Sequence, residues 1–114
     1  MYRLIIKSGN KAWSKNGFWH RCNDLPAIEF SNGYKEWWKK GKHYFLKKYE
    51  NGTKEYYNFK GQLDSCSNEP AIIYSNGDKE YWYNGKRHKS DGPAVIYGNK
   101  QYWFEYGEFI KCIV

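Results

Sequence analysis

The chain has 114 residues and a formal net charge of +7, from 19 lysines and arginines against 12 aspartates and glutamates. Aromatic residues make up 21% of it, and its mean hydropathy is −0.99. This length suits a single domain, and so many rings argue against disorder. No apolar run approaches the roughly 20 residues that a membrane-spanning helix needs, and residues 1–7 are too short for a secretory signal. We therefore expect a soluble, cytoplasmic protein with no membrane partner.

A short motif recurs along the chain and predicts a repeat architecture. Asn-Gly, any residue, Lys-Glu and two aromatic residues begin at Asn32, Asn51 and Asn76. Weaker copies begin at Gly9 and Gly98, as expected for terminal repeats that have one neighbour each. The single domain divides into repeats at residues 1–22, 23–46, 47–68, 69–91 and 92–114.

The turn chemistry predicts that each repeat is a β-hairpin. Asn-Gly favours a two-residue loop of type I′, because both central residues of that turn need positive φ. The dipeptide begins at Asn16, Asn32, Asn51, Asn76 and Asn84. The reversed dipeptides at Gly9 and Gly98 suit type II′ turns. We expect an all-β domain, an antiparallel meander of about ten short strands curved into an open or half-closed sheet.

Two-residue loops would fix which side chains share a face of the sheet. Residues 27–31 then pair with 34–38, residues 71–75 with 78–82, and residues 94–97 with 100–103. In this register one face carries Ile28, Phe30, Lys35 and Trp37; Ile72, Tyr74, Lys79 and Tyr81; and Val95, Tyr97, Lys100 and Tyr102. Because this face is rich in β-branched residues and rings, we expect it to be the core, with the lysines reaching water.

The best copy of the motif, between Pro70 and Ala94, continues as Gly-Lys-x-His-Lys-x-Asp-Gly-Pro-Ala. This pattern resembles a repeat found in small proteins of bacteriophages and large DNA viruses. It is similar, more distantly, to the MORN (membrane occupation and recognition nexus) repeat, whose units are β-hairpins stacked into an elongated sheet. The resemblance implies a hairpin-repeat fold and a viral source. By association with that class, it implies an accessory protein that binds and inhibits a host defence protein.

Two histidine–aspartate pairs admit a catalytic interpretation, His20 with Asp24 and His88 with Asp91, since a carboxylate can orient an imidazole for proton transfer. The pairs recur because the loop recurs. A structural interpretation explains them more simply, with aspartate bonded to its own backbone and histidine capping carbonyls in a tight turn. We expect no catalytic residue and no enzyme.

Cysteine and histidine side chains could supply a zinc site or a cysteine nucleophile. Cys22, Cys66 and Cys112 show neither a C-x-x-C spacing nor a disulfide framework, so free thiols in a reducing compartment are expected. Cys22 lies near His20 in sequence, but no third group to orient the pair is evident. Neither a metal nor another cofactor is expected.

Lysines beside rings form the candidate binding surface. Lys35, Lys54, Lys79 and Lys100 recur next to Trp37, Tyr56, Tyr81 and Tyr102 if the hairpins stack in step. The second aromatic residue of the motif (Trp38, Trp82 and Trp103) and the basic cluster of Lys39, Lys40 and Lys42 complete the set. The structural alternative is that edge lysines discourage aggregation and the rings pack the core, while the glutamate after each lysine partly cancels its field.

These features predict a binding module that contacts a protein partner, in the first place a host protein, through exposed tryptophans and tyrosines with lysines at the rim. The alternative is binding of nucleic acid, another polyanion or a nucleotide, because interleaved cations and rings are what single-stranded nucleic acid binding uses.

Overall fold

The computed structural model describes residues 1–65 and 68–114, and within these residues the chain is all-β, as predicted. The strands are β1 (Tyr2–Lys7), β2 (Asn10–Lys15), β3 (Phe18–Trp19), β4 (Ile28–Glu29), β5 (Lys35–Lys39), β6 (Lys42–Lys48), β7 (Lys54–Asn58), β8 (Ile72–Ile73), β9 (Lys79–Glu80), β10 (Trp82–Tyr83), β11 (Lys86–Arg87), β12 (Val95–Tyr97), β13 (Lys100–Glu105) and β14 (Glu108–Ile113). Cys66 lies outside the described residues, and Cys22 and Cys112 are free thiols. No helix in the described part is long and apolar enough to cross a membrane.

The described strands form an antiparallel meander, which confirms the predicted fold class. Twelve of them make one sheet in the order β1-β2-β4-β5-β6-β7-β8-β9-β12-β13-β14, with β3 paired to β2 off this path. The hairpin of β10 and β11 forms a separate two-stranded sheet. The chain groups into two compact units, Met1–Phe45 (the N-terminal unit) and Leu46–Val114 (the C-terminal unit).

Two of the Asn-Gly dipeptides adopt the predicted turn. Asn16 and Gly17 have φ values of 52° and 84°, and Asn84 and Gly85 have values of 47° and 81°. Both central residues of each turn therefore have the positive φ that type I′ requires. Glycine and asparagine are the residues that adopt this conformation at least cost.

The reversed dipeptides differ from each other. In the first hairpin Ser8 (φ 53°) and Gly9 (φ 80°) form the loop, and Asn10 already pairs across the strands. The predicted type II′ turn at Gly9-Asn10 is therefore wrong, because a type I′ turn precedes it by one residue. In the hairpin of β12 and β13, Gly98 alone of the two loop residues has positive φ, at 59°, which is the φ pattern of a type II′ turn at Gly98-Asn99.

The three copies of the full motif have loops of a different kind. At the first copy the N–H of Gly33 (φ 93°) donates to the carbonyl of Phe30 at 2.9 Å, and the N–H of Phe30 donates to the carbonyl of Tyr34 at 2.8 Å. This is a type I turn followed by a glycine bulge, which makes a three-residue loop. The Asn32 side-chain oxygen accepts the N–H of Tyr34 at 2.9 Å and so stabilises the turn. The same contacts recur at Asn51 and Asn76.

The third loop residue moves the register by one position from the prediction. The observed cross-strand pairs are Ile28 with Glu36 and Ile72 with Glu80, where two-residue loops would place Trp37 and Tyr81. A shift of one residue turns every side chain of one arm to the other face. The predicted faces of these two hairpins are therefore wrong: Lys35, Trp37, Lys79 and Tyr81 lie opposite the face that carries Ile28 and Ile72.

Cross-strand pairs define two faces in the C-terminal unit. The glutamate face carries a row of Glu55, Ile72, Glu80, Val95, Tyr102 and Cys112. The opposite face is called the alanine face, after Ala71 and Ala94, which precede Ile72 and Val95. Its row of cross-strand neighbours is Lys54, Ile73, Lys79, Ile96, Gln101 and Ile113. In the hairpin of β12 and β13, the two-residue loop keeps Val95 opposite Tyr102, as predicted.

Small side chains between ring-bearing strands organise the core of the alanine face. Ala71 and Ala94 of this face are each 0% exposed, as is Ala27 at the corresponding position of the N-terminal unit. The N–H of Ala71 donates to the carbonyl of Glu80 at 2.8 Å, and its carbonyl accepts the N–H of Tyr56 at 2.8 Å, so the alanine is bonded to both neighbouring strands. On the glutamate face, the β-branched residues Ile72 and Val95 are also buried. The core therefore uses residues of both faces, and not one face as predicted.

A recurring loop contact joins neighbouring repeats at three places in the described chain. His20 Nδ1 accepts the N–H of Lys40 at 3.0 Å, Asp64 Oδ1 that of Asn84 at 2.9 Å, and His88 Nδ1 that of Tyr106 at 3.1 Å. Each donor is a turn residue with positive φ. The histidines thus hold turns, as the structural interpretation expects, although they accept an N–H and do not cap a carbonyl.

Asp64 tests this contact most cleanly. Asp64→Ala should lower the free energy of unfolding by about 1 kcal/mol or less, because the exposed N–H of Asn84 exchanges its side-chain acceptor for water. Asp64→Asn keeps an oxygen at the same position and should lower the free energy of unfolding much less than Asp64→Ala does. Urea unfolding followed by tryptophan fluorescence measures both values, and equal losses in the two variants would contradict the assigned role.

Candidate functional site

The predicted lysine row is only partly assembled. Lys54 and Lys79 lie on the alanine face with Tyr56 and Tyr81, as the prediction requires. Lys35 and Trp37 share the corresponding face in the N-terminal unit. Lys100 and Tyr102 lie on the glutamate face, because the hairpin of β12 and β13 has a two-residue loop where the full motifs have three residues. Gln101 takes the place in the row that a lysine would need.

Several predicted binding residues are engaged inside the protein. Tyr56 is 5% exposed, and Lys39 is 7% exposed. The Lys39 ammonium lies 3.6 Å from a carboxylate oxygen of Asp24 and 5.4 Å from the ring centre of Tyr44. Lys39 therefore stabilises a loop and is not offered to a partner.

The rings of the alanine face are covered in a similar way by nearby cations. The Lys89 ammonium lies 3.9 Å from the ring centre of Tyr81, and the Lys111 ammonium 4.7 Å from that of Trp103. Cation–ring contacts of this length are favourable. The other named residues, Lys40, Lys42, Trp38 and Trp82, are exposed or half-exposed.

A buried carboxylate occupies the centre of the glutamate face in the C-terminal unit. Glu80 is 1% exposed. Its Oε2 accepts the hydroxyl groups of Tyr74 at 2.5 Å and Tyr97 at 2.6 Å. Its Oε1 accepts the indole N–H of Trp82 and the Nε–H of Arg87, both at 3.0 Å. These donors satisfy a charge that would otherwise be costly to bury.

The donors also set the ionisation of the cluster. Burial alone would raise the pKa of Glu80, but the hydrogen bonds from Tyr74, Tyr97 and Arg87 and the charge of Arg87 together lower it. Burial, the hydrogen bond to Glu80 and its negative charge raise the pKa of both tyrosines. Glu80 is therefore a carboxylate at neutral pH, and the tyrosines are neutral donors.

The glutamate of the other full motifs makes a reduced form of this cluster. Trp38 donates its indole N–H to Glu36 at 2.9 Å. Tyr49 and Tyr57 each donate a hydroxyl to Glu55 at 2.6 Å. The hydrogen bond to Glu55, burial and the charge of Glu55 raise the pKa of Tyr57 to about 12. The motif glutamate thus accepts hydrogen bonds from the indole and hydroxyl groups of aromatic residues. This role was missed from the sequence, where the glutamate was treated only as a charge that offsets the lysine before it.

Arg87 connects the buried carboxylate to the surface. Its guanidinium carbon lies 5.4 Å from the ring centre of Trp82 and 5.5 Å from that of Phe104. The Phe104 ring packs edge-on against Phe109, with centres 5.7 Å apart, and Phe109 is 56% exposed. We call Trp82, Arg87, Phe104 and Phe109 the arginine–aromatic patch.

The guanidinium is held in place yet partly open. Only its Nε–H has an acceptor among the described residues, and the side chain is 39% exposed. The two terminal nitrogens are left to bind something else. The Glu80 contact anchors the Nε–H, and the planar group presents its two terminal nitrogens as a fork of donors. Of this patch, the sequence prediction named Trp82 alone.

The equivalent place in the N-terminal unit carries a histidine. His43 stacks on Trp38 with ring centres 4.8 Å apart, and its ring centre lies 4.9 Å from that of Phe45. The repeat therefore places a nitrogen-bearing side chain against the motif tryptophan in both units. In the C-terminal unit that side chain is an arginine, which carries a permanent charge.

His20, one of the candidate catalytic residues, is bonded to a turn through one ring nitrogen. The Nδ1 of His20 accepts the Lys40 N–H, so a neutral His20 carries its proton on Nε2, which lies 3.6 Å from the Cys22 sulfur. This nitrogen can donate to Cys22 but cannot remove its proton. In residues 1–65 and 68–114, no group of three or more His, Cys, Asp and Glu side chains could hold a metal ion.

Comparisons with known proteins identify no relative of this chain. No protein-family model, curated protein or solved structure shows a significant match to the chain.

Replacing Glu80 tests the importance of the buried carboxylate. Glu80→Gln should lower the free energy of unfolding at neutral pH by about 3 kcal/mol, because Arg87 and two tyrosines lose a charged acceptor. Glu36→Gln is the matched control and should lower the free energy of unfolding by less than about 1 kcal/mol, since the amide oxygen can still accept the single indole N–H of Trp38.

The pH dependence of this difference has a definite sign. A carboxyl whose pKa is lowered on folding contributes stability above its ordinary pKa of 4.5, and that stability is lost as the pH falls through the lower folded value. The gap between wild type and Glu80→Gln should therefore narrow in urea unfolding below pH 4.5. A gap that is independent of pH would contradict the charged state of Glu80.

Proposed function

We propose that this chain is a non-enzymatic binding module that docks a protein partner through the arginine–aromatic patch. The observation that carries the proposal is Arg87, which is bonded to buried Glu80 and lies close to the rings of Trp82 and Phe104, with its terminal nitrogens open. Phe109 extends the same surface as an exposed ring.

The composition of the patch suits an interface centre. Tryptophan and arginine are the residues most enriched among those that dominate binding energy. Arg87 is already ordered by Glu80 before any partner binds, so its side chain loses less freedom on binding than a mobile arginine would. The rings around it offer apolar area that a partner can cover.

The nature of the partner follows from the resemblance to phage and viral repeat proteins. The proposed partner is a host protein, a defence protein in particular, that the chain binds and inhibits in the host cytoplasm. The net charge of +7 favours a partner with an acidic surface, since it speeds association with such a surface.

The histidine contacts support a non-enzymatic role. His20 and His88 each use Nδ1 to accept a backbone N–H, and protonation would convert that acceptor into a donor. Either imidazole would have to give up a turn contact in order to act as a general base.

Capture experiments with matched variants test the proposal. Tagged wild type, Phe109→Ala and Lys79→Gln are used to capture proteins from host lysate, and bound proteins are identified by mass spectrometry. A partner should be lost with Phe109→Ala and retained with Lys79→Gln, because Phe109 belongs to the patch and Lys79 is an exposed charge on the opposite face. Identical capture by all three chains would exclude the patch as the docking surface.

The alternative function is binding of single-stranded nucleic acid by the alanine face. The observation in its favour is that Lys54 and Lys79 lie on one face with Tyr56 and Tyr81. Burial of Tyr56 and the displacement of Lys100 leave few cations and rings to follow a strand.

Oligonucleotide titration separates the two functions. Fluorescence anisotropy with an oligo-dT strand should show only the weak binding of a basic protein, with Kd of about 10⁻⁴ to 10⁻⁶ M at physiological salt. Lys79→Gln should reduce the salt dependence slightly, and Phe109→Ala should leave it unchanged. Nanomolar affinity that falls steeply with salt would favour the nucleic-acid function instead.

A further inference from the structure

We infer that the arginine–aromatic patch recognises a carboxylate flanked by an apolar side chain, as in an acidic segment of a protein partner. This inference rests on the proposed function and names the chemistry that the same surface would bind. It starts from the terminal nitrogens of Arg87, which have no acceptor among the described residues.

The shape of the open donors selects a planar anion. With Nε–H bonded to Glu80, the guanidinium still presents the edge formed by its two terminal nitrogens. That edge donates two parallel N–H groups, which match the two oxygens of a carboxylate. A single point charge such as lysine would not impose this geometry.

The local charge balance favours a carboxylate over a phosphate group. The positive charge of Arg87 is already paired with the buried negative charge of Glu80 at 3.0 Å. A phosphate monoester brings a charge of about −1.5 to −2 and is bound best by clusters of unpaired cations. A carboxylate carries a single negative charge, so it can be bound by the two remaining directed hydrogen bonds and depends less than a phosphate group on a net positive potential at the site.

The rings define what should flank the anion. The ring centres of Trp82 and Phe104 lie 5.4 Å and 5.5 Å from the guanidinium carbon, so a carboxylate bound to the arginine also meets apolar surface. Exposed Phe109 packs against Phe104 and continues this surface beyond the arginine. A ligand with a ring or an aliphatic side chain next to its carboxylate would cover both.

Short peptides test the inference directly. The probes are Ac-Gly-Glu-Phe-Gly-NH2, its glutamine counterpart Ac-Gly-Gln-Phe-Gly-NH2, and Ac-Gly-Gln-Phe-Gly with a free terminal carboxylate. Two-dimensional NMR of the 15N-labelled chain follows the Nε–H of Arg87 and the indole N–H of Trp82. The glutamate peptide should shift both signals, and the glutamine amide should not. Shifts with the third peptide would assign the carboxylate to a chain terminus as well as to a side chain.

Variants keep the test informative if the arginine also supports folding. Arg87→Lys retains the charge but loses the fork, and it should weaken binding of the glutamate peptide about tenfold. Phe109→Ala alters only an exposed ring and should weaken it several-fold, while Lys79→Gln should bind as wild type does. Amide spectra establish that each variant is folded.

The inference is overturned if the glutamate and glutamine peptides give equal shifts, if Arg87→Lys binds as wild type does, or if no signal moves at about 10 mM peptide. Its failure is separable from failure of the proposed function. Capture that depends on Phe109 but not on peptide carboxylates would leave the patch as a docking surface that uses its rings alone.

Discussion

The loop at the tip of each motif hairpin decides which way every later side chain points. An asparagine such as Asn32 accepts the N–H two residues ahead, the glycine after it has positive φ, and the loop closes with three residues. This extra residue places the motif glutamate opposite an isoleucine, on the face that carries Tyr74 and Tyr97. Had the loop held two residues, Tyr81 would take that place, and the cluster around Glu80 would not form.

The buried Glu80 then ties together parts of the chain that are distant in sequence. Tyr74 reaches it from its own hairpin, Tyr97 from the next hairpin and Arg87 from the connection between them. A buried ion pair is seldom a net source of stability compared with apolar packing. Its effect here is to favour one arrangement, because any slip of one hairpin against the next would leave a buried charge without donors.

Much of the fold could be predicted from the sequence because its strongest signals are local. Glycine at a tip reports the need for positive φ at that residue, so the positions of the turns and the all-β meander followed directly. The length of the loop, in contrast, is not determined by the Asn-Gly dipeptide itself. Asn-Gly forms a two-residue loop at Asn84 and a three-residue loop at Asn76. Contacts with the next hairpin accompany that difference, such as the N–H of Gly98 donated to Asp78 at 2.9 Å.

The candidate site was harder to predict because it lies where the repeats differ. Comparison of copies draws attention to what recurs, and the lysine before each glutamate recurs most visibly. The structure uses the glutamate and the rings for packing in every full motif, and so the common residues build the scaffold. Arg87 stands where the N-terminal unit has His43, each placed against the motif tryptophan. Under the proposed function, a scaffold that holds a variable side chain against the motif tryptophan could change what it binds by one substitution, without disturbing the register that the tips impose. The residues that set specificity in such a protein should therefore be sought at the positions that break the repeat.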